Sequence, residues 1–245
     1  MLTPKERSQL KQLCENDASL CALIQKLDTS YRLNLSRISH EIRNPVTVMN
    51  SFLQLTQDKH PEVKEYNTWS PIMENMNYLR QLLEEITDYN HSQIPHKKHC
   101  SLKHLLESIV ISCQPSILPV QIQFQKLSPV PSAALDDIQL RSAILNLIRN
   151  AREALGDNPN GKILVSLSFD GDYFYIAVSN NGPQIPKEHL ETLFTPFVTY
   201  RKNGSGLGLS IVQNVAVAHG GELSVSSNTS ETTFTMKLPL LFEED

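Results

Sequence analysis

Apolar residues recurring at three-four spacing divide the first ninety residues into helices. Leu10, Leu13, Leu20, Leu23, Ile24 and Leu27 form an interrupted stripe, which predicts a helix from Pro4 to about Ser30, broken near Asn16-Asp17. Leu35, Ile38, Ile42, Met49 and Phe52 predict a second helix from about Tyr31 to Gln57 with this stripe buried. Asp58-Lys59-His60-Pro61 ends it, because the residue before a proline is pushed out of the α region. Trp69, Ile72, Met76, Leu79, Leu83 and Ile86 form a third stripe of heptad type. Two striped helices joined by a loop of about four residues fold back as an antiparallel hairpin. Such a hairpin cannot bury both stripes alone. Pairing with a second copy in a four-helix bundle is the expected solution, hence a homodimer; burial against the rest of the chain is the alternative.

After a polar stretch from His91 to Cys100, read as a linker, the pattern changes to mixed helices and strands. Helices are predicted at Leu102 to Ser112, Asp137 to Leu155 and Leu207 to Ala218, with Gly156 closing the second. Strands are predicted at Val120 to Phe124, Lys162 to Phe169, Tyr173 to Ser179, Glu222 to Ser226 and Thr232 to Pro239; Asp170-Gly171 supplies a hairpin turn. The fold class expected is a helical hairpin, forming a dimeric four-helix bundle, followed by an α+β sandwich of helices on a mixed, mostly antiparallel sheet.

Composition narrows the function classes. The net charge of −4 and the lack of a strong basic run argue against a nucleic-acid surface. No apolar run approaches the ~20 residues of a membrane span, and Met1 to Leu10 lacks the apolar core of a signal peptide. A cytoplasmic protein without membrane insertion is expected. Cys14, Cys21, Cys100 and Cys113 form no Cys-x-x-Cys pattern and read as reduced, structural thiols.

The candidate chemistry begins at His40-Glu41-Ile42-Arg43-Asn44-Pro45, where an imidazole stands beside a carboxylate and an amide on the solvent face of the second helix. On the helix Asp137 to Leu155, Asn146, Asn150 and Glu153 share one face at spacings of four and three. Asparagine is a poor helix former, so two on one face need a reason. Amide oxygens completing the shell of a magnesium ion on phosphate would give one; a solvated polar face is the plain alternative. Asn180 ends a strand before Gly182, where backbone can approach a flat ligand and the amide can bond a nucleobase edge. Leu193-Phe194-Thr195-Pro196-Phe197 reads as an apolar clamp. Arg201 and Lys202 precede Gly204-Ser205-Gly206-Leu207-Gly208, a glycine-rich loop whose N–H groups, at the start of a helix, suit phosphate.

In identity and order, these stretches resemble the cytoplasmic core of a two-component sensor histidine kinase. The resemblance covers roughly residues 30 to 240. The striped helix leaves 1–30 as an N-terminal helical segment, and the resemblance implies a dimerisation and phosphotransfer domain over 31–92, a linker over 93–100 and a catalytic ATP-binding domain over 101–245. By resemblance, His40 accepts the γ-phosphoryl of ATP, Glu41 polarises its ring, and Asn44 orients a water that removes phosphate from a response-regulator aspartate. Pro45 frees a carbonyl one turn back and invites a bend. The resemblance further implies that Asn146, Asn150, Glu153, Asn180, Gly182, Arg201, Gly204, Gly206, Leu207 and Gly208 bind nucleotide, with Mg2+ on Asn150 and Asn146. The partners implied are a response-regulator receiver domain and a second copy of the chain. ATP-hydrolysing relatives place a glutamate at the position of Asn146; an amide cannot act as a general base, so transfer to His40 is favoured over hydrolysis.

Two positions depart from the family pattern. Asn180 stands where an aspartate normally accepts a bond from the adenine amino group, and Gln184 stands where a second glycine is normal. Two readings follow: an ATP-dependent protein histidine kinase with a modified adenine site, or an ATP-independent phosphotransferase or scaffold in which His40 exchanges phosphate with a partner's aspartate.

Overall fold

The computed structural model describes residues 18–92, 94–201 and 204–240. The stripe expected over residues 1–17 lies outside the described residues, as does Lys202. The chain divides into two compact units, one ending at Asn90 and the other beginning at His91.

In the first unit α1 runs unbroken through Ala18–Lys59. The boundary expected near Ser30-Tyr31 does not exist. No glycine or proline interrupts residues 18–44, and one serine is too weak a breaker to end a helix. Pro45 is carried inside α1, and the helix stops at Lys59, before His60-Pro61. The turn is longer than expected: it includes a 3-10 helix, Pro61–Glu65, before α2, Trp69–His91. Trp69 Nε1 donates to Gln57 Oε1 at 3.1 Å and fastens it.

Within one chain the hairpin buries part of the predicted α2 stripe, Met76 and Leu83, but a different face of α1. Ser39, Val46 and Asn50 of α1 and Met76, Leu83, Glu85 and Asn90 of α2 are buried, with Leu53 packed on Val46, Met76 and Leu83. Arg43 crosses between the helices, donating to Thr87 Oγ1 at 2.5 Å and to Leu83 O at 3.3 Å. Ile38, Ile42, Met49 and Phe52 remain 46–64% exposed, and Ile72 and Leu79 of α2 are exposed as well. The apolar period therefore marks a second face of the hairpin, and a more polar stripe one position over joins the two helices.

In the second unit a five-stranded sheet has the order β2 (Gln121–Lys126), β4 (Lys162–Phe169), β5 (Tyr173–Asn180), β7 (Thr232–Pro239), β6 (Glu222–Ser227). Only β2 and β4 pair in parallel; the other pairs are antiparallel. Three helices pack on the sheet or on one another: α3 (Leu102–Cys113), α4 (Asp137–Leu155) and α6 (Gly208–Ala218). A single short turn of helix, α5, spans Lys187–Leu190. Alternation dictates the core, since every second residue of a strand faces the helices. Val165, Leu167, Phe174, Ile176, Val178, Phe234, Met236 and Leu238 are buried, as are Leu140, Ile144, Leu147, Ile211, Val212 and Val215. Each such side chain contributes about 1.5–3 kcal/mol when fully buried.

The stretch read as a linker holds a strand, β1 (Lys98–Cys100), paired antiparallel with β3 (Ala133–Leu135). Neither was visible as a pattern, because three residues are too few for alternation to show. Cys113 is buried and Cys100 half-buried, both as free thiols whose pKa burial raises. No helix among the described residues is long and apolar enough to cross a membrane.

Candidate functional site

His40 lies on the exposed surface of α1. Its neighbours along the chain point elsewhere, since adjacent residues on a helix do not face one another. Ser39 is turned inward, and Arg43 reaches across to α2. Glu41, expected to bond the imidazole, instead accepts from Arg37 Nε at 3.1 Å, one turn earlier. Asn44 and Pro45 are exposed one turn beyond His40.

The second group of residues is assembled on α4. Asp136 caps this helix, its Oδ1 accepting the N–H groups of Ile138 and Gln139 at 3.0 and 2.9 Å. Asp136 Oδ2 accepts the N–H of His96 at 2.7 Å, and Gln139 Nε2 donates to the carbonyls of His91 and Ile94, both at 2.8 Å. The start of α4 thus holds the segment entering this unit. Sequence reasoning missed these residues, although Asp136 and Gln139 have the spacing of a capping box.

Along α4, Asn146 is buried and its Oδ1 accepts from Arg149 Nη2. A Cβ on Gly208, the first residue of α6, would stand 3.4 Å from Asn146 Oδ1 and 3.9 Å from Arg149 Nη2. A guanidinium that sequence reasoning did not select therefore flanks the glycine-rich loop where it enters α6. Arg201 bonds Glu153 through Nη1 and donates from Nη2 to the carbonyl of Asn150 at 3.0 Å. Its charge is matched by a carboxylate, and Glu153 is a partner of Arg201 in this structure.

The glycine-rich loop is shaped by close approach. Gly206 has φ +73, and a Cβ there would lie 2.6 Å from Phe197 C and 2.7 Å from the Val198 backbone. Phe197 N–H donates to Gly206 O at 3.0 Å, and Phe197 itself has φ 64. A side chain on Gly204 would collide with Thr199 Oγ1. Leu207 is fully buried, so only its backbone faces the loop. Beside the loop, His189 stacks on Tyr200 at 3.5 Å between ring centroids, and Phe194 meets Phe234 edge-on at 6.5 Å.

Asn180 closes β5 and is buried at 4% exposure. A Cβ on Gly182 would stand 2.6 Å from Asn180 Nδ2 and 3.3 Å from Ala154 O, so Gly182 leaves space between the strand end and the last turn of α4. Asn181 is structural: its Oδ1 accepts from Lys162 N at 2.6 Å and its Nδ2 donates to Asn160 O at 3.0 Å. Gln184 Nε2 donates to Ser227 O at 3.2 Å, and Ile185 N–H to Ser227 Oγ at 2.9 Å, so the side chain at 184 is committed to the end of β6.

No cluster of three His, Cys, Asp or Glu side chains able to hold a metal occurs among the described residues. Donors for a hard cation here are amide oxygens, which fit Mg2+ only in company with phosphate. The half-buried Asn150 is the other amide on that face of α4, while the Oδ1 of Asn146 is engaged by Arg149.

Residues 32–93 match the family described as His Kinase A (phospho-acceptor) domain, and residues 135–241 the one described as Histidine kinase-, DNA gyrase B-, and HSP90-like ATPase. The sensory histidine kinase/phosphatase NtrB of Vibrio alginolyticus is 31% identical over 225 residues, covering 86% of this chain and 63% of that protein. Sporulation kinase D of Bacillus subtilis is 28% identical over 240 residues, covering 96% of this chain and 46% of that protein. Full-length ShkA in complex with AMPPNP has a similar fold: TM-score 0.72, 22% identity, 86% of this chain and 46% of that one. Histidine kinase ThkA in complex with response regulator TrrA gives a TM-score of 0.59 at 24% identity, over 95% of this chain and 66% of that one. The chain thus spans about half to two-thirds of the length of the curated relatives it matches.

Proposed function

Because the chain belongs to the two-component sensor histidine kinases, we propose that it binds ATP along α4, transfers the γ-phosphoryl to His40 and passes it to a response-regulator aspartate. One observation carries this reading. Gly182, Arg201 and Gly208 are far apart in sequence, yet each lies against a residue of α4: Ala154, Glu153 with Asn150, and Asn146 respectively. On this reading the base would sit by Gly182 at the last turn of α4 and the phosphates by Gly208, two turns earlier along the helix.

In the transfer, a lone pair on the His40 ring attacks the γ-phosphorus. The N–P bond forms, the bond to the β–γ bridging oxygen breaks, and ADP leaves with the electron pair. The ring then gives up the proton on its other nitrogen, for which Glu41 is the acceptor once it leaves Arg37. Backbone N–H groups at the start of α6 and the guanidinium of Arg149 hold the phosphates. Mg2+, when bound, neutralises phosphate charge, and Asn150 is the side chain that would hold it. In the reverse role, removal of phosphate from the regulator, Asn44 would orient a water; its exposure one turn beyond His40 supports this reading. ATP as donor sets the reaction on the cytoplasmic side.

A second copy of the chain is the proposed cover for Ile38, Ile42, Met49, Phe52, Ile72 and Leu79. The competing reading, a phosphotransferase or scaffold without ATP chemistry, drew on Asn180 and Gln184. The bond of Gln184 to Ser227 supports the kinase, since it turns that side chain onto β6. Incubation with γ-labelled ATP and Mg2+ tests the proposal. Acid-labile, alkali-stable label that disappears in His40→Ala is expected. Absence of label, with transfer from a phosphorylated regulator intact, would overturn it.

A further inference from the structure

Strand β5 sends a row of side chains toward the helices: Phe174, Ile176, Val178 and last Asn180, all buried. The first three meet apolar partners. Asn180 is held between β4 and β7 by pairing with Ile163 and Thr232, and its Nδ2 is buried without a hydrogen-bond partner. An unmade donor in that position is costly, and a buried unpaired group calls for a partner such as an ordered water or a ligand. The open face of Gly182 lies directly beside this nitrogen, with the last turn of α4 across from it. The space suits the edge of a flat heterocycle that brings an acceptor to Nδ2.

Resting on the nucleotide reading above, we infer that Asn180 makes the base site tolerant of the group at purine C6, so that 6-oxopurine triphosphates serve as donors alongside ATP. The reason lies in the donor and acceptor inventory. Adenine presents an N–H donor at C6 and an acceptor at N1; a 6-oxopurine presents the reverse, an oxygen acceptor at C6 and a donor at N1. A carboxylate accepts only, so it favours the adenine amino group and repels O6. A carboxamide carries one acceptor and one donor side by side. It pairs with adenine in one orientation and, turned over about its terminal torsion, with hypoxanthine or guanine in the other. In both cases Nδ2 gains the acceptor it lacks. Neither orientation leaves a site group unpaired, which is the condition that produces strong rejection of an analogue.

Competition of unlabelled ITP and ATP against γ-labelled ATP, read as label on His40 in the intact chain, tests the inference. ITP is the decisive probe because it differs from ATP only at the six-position edge. The wild type is expected to show an ITP/ATP ratio of half-inhibiting concentrations within about tenfold. γ-Labelled ITP is expected to place acid-labile label that His40→Ala removes. Asn180→Asp is expected to raise the ITP/ATP ratio by at least about tenfold. A wild-type ratio above about a hundredfold would overturn the inference, and that readout stands even where the variant fails to fold. Label from ATP with no competition by ITP refutes the inference alone, whereas no label from ATP refutes the kinase reading beneath it.

Discussion

The backbone N–H of Asp136 donates to Nε2 of His219 at 3.0 Å, joining the cap of α4 to the end of α6. On the other side of the ring, Nδ1 bonds the carbonyl of Val215 at 2.8 Å. With Nε2 accepting, Nδ1 carries the proton, so the neutral imidazole is satisfied at both nitrogens. The helix that carries Asn146, Asn150 and Glu153 and the helix fed by the glycine-rich loop are thereby fixed to each other at a fully buried histidine.

That histidine makes stability depend on pH. Burial pushes the His219 pKa down, and the charge of Lys97 acts in the same direction; the bond to Val215 and the charge of Asp136 oppose. In the unfolded chain the ring titrates near its usual value of 6.5. Below that value the unfolded state takes up a proton that the folded state refuses, so stability is full above it and is lost as pH falls toward the lowered folded pKa. Thermal melts of the wild type are expected to show a falling midpoint below about pH 6.5, a component absent in His219→Gln. The variant is expected to lose about 1–3 kcal/mol at neutral pH through an imperfect replacement of the two buried bonds. An unchanged acid dependence in the variant would exclude His219 as its source.

If the glycine-rich loop holds phosphate, a change at Gly206 is expected to cost nucleotide binding more than folding. At φ +73, alanine would be strained, and its Cβ would lie 2.6 Å from backbone atoms that cannot swing aside as a side chain can. The loop must therefore rebuild, moving the N–H groups at the head of α6. Gly206→Ala is expected to weaken binding of a fluorescent ATP analogue by at least about tenfold while costing the fold about 1–2 kcal/mol. Titration alongside a thermal melt checks both; unimpaired binding would show that the loop does not hold phosphate.

Most of the second unit was legible in the sequence, because long amphipathic elements announce themselves. The helix Asp137–Leu155 and strand Lys162–Phe169 fall where periodicity put them. The short pair Lys98–Cys100 and Ala133–Leu135 was not, since its pairing is set by the tertiary structure and leaves no local pattern. His219 was also invisible: it follows an apolar helix with nothing nearby to show that Asp136 would meet it. The hairpin was legible as two striped helices, but the seam between them was not. Ile38, Ile42, Met49 and Phe52 do form a stripe, but period alone does not say which neighbour a stripe meets, and the seam with α2 is built instead from Ser39, Arg43, Val46, Asn50 and Leu53.

That exposed stripe leads to a test of assembly. A charge placed in a desolvated interface is strongly unfavourable, whereas the same charge on a free surface is nearly neutral. Phe52 is 64% exposed and Ile42 47% exposed within the chain, so glutamate at either position leaves the hairpin seam intact. If a second copy covers them, Ile42→Glu and Phe52→Glu are expected to convert the protein to a monomer in light scattering at micromolar concentration, with far-ultraviolet circular dichroism little changed. Variants that remain dimeric would place the interface elsewhere.

The pair of Glu41 with Arg37 poses the last question, whether it withholds the carboxylate from His40. The two side chains are 65% and 79% exposed, and the contact is an ordinary one-turn pair at 3.1 Å. Such pairs contribute about 0.3–0.5 kcal/mol, roughly a twofold bias, so releasing Glu41 adds little to a reaction barrier. Arg37→Ala is therefore expected to alter the autophosphorylation rate by less than about threefold. Loss of a proton acceptor from the reacting ring is larger: Glu41→Gln, which keeps shape and helix propensity, is expected to slow the reaction by about a hundredfold or more. Single-turnover labelling at saturating ATP separates this from nucleotide binding, which neither variant should change. Equal rates for Glu41→Gln and wild type would mean that solvent takes the proton and that Glu41 is only the helical partner of Arg37.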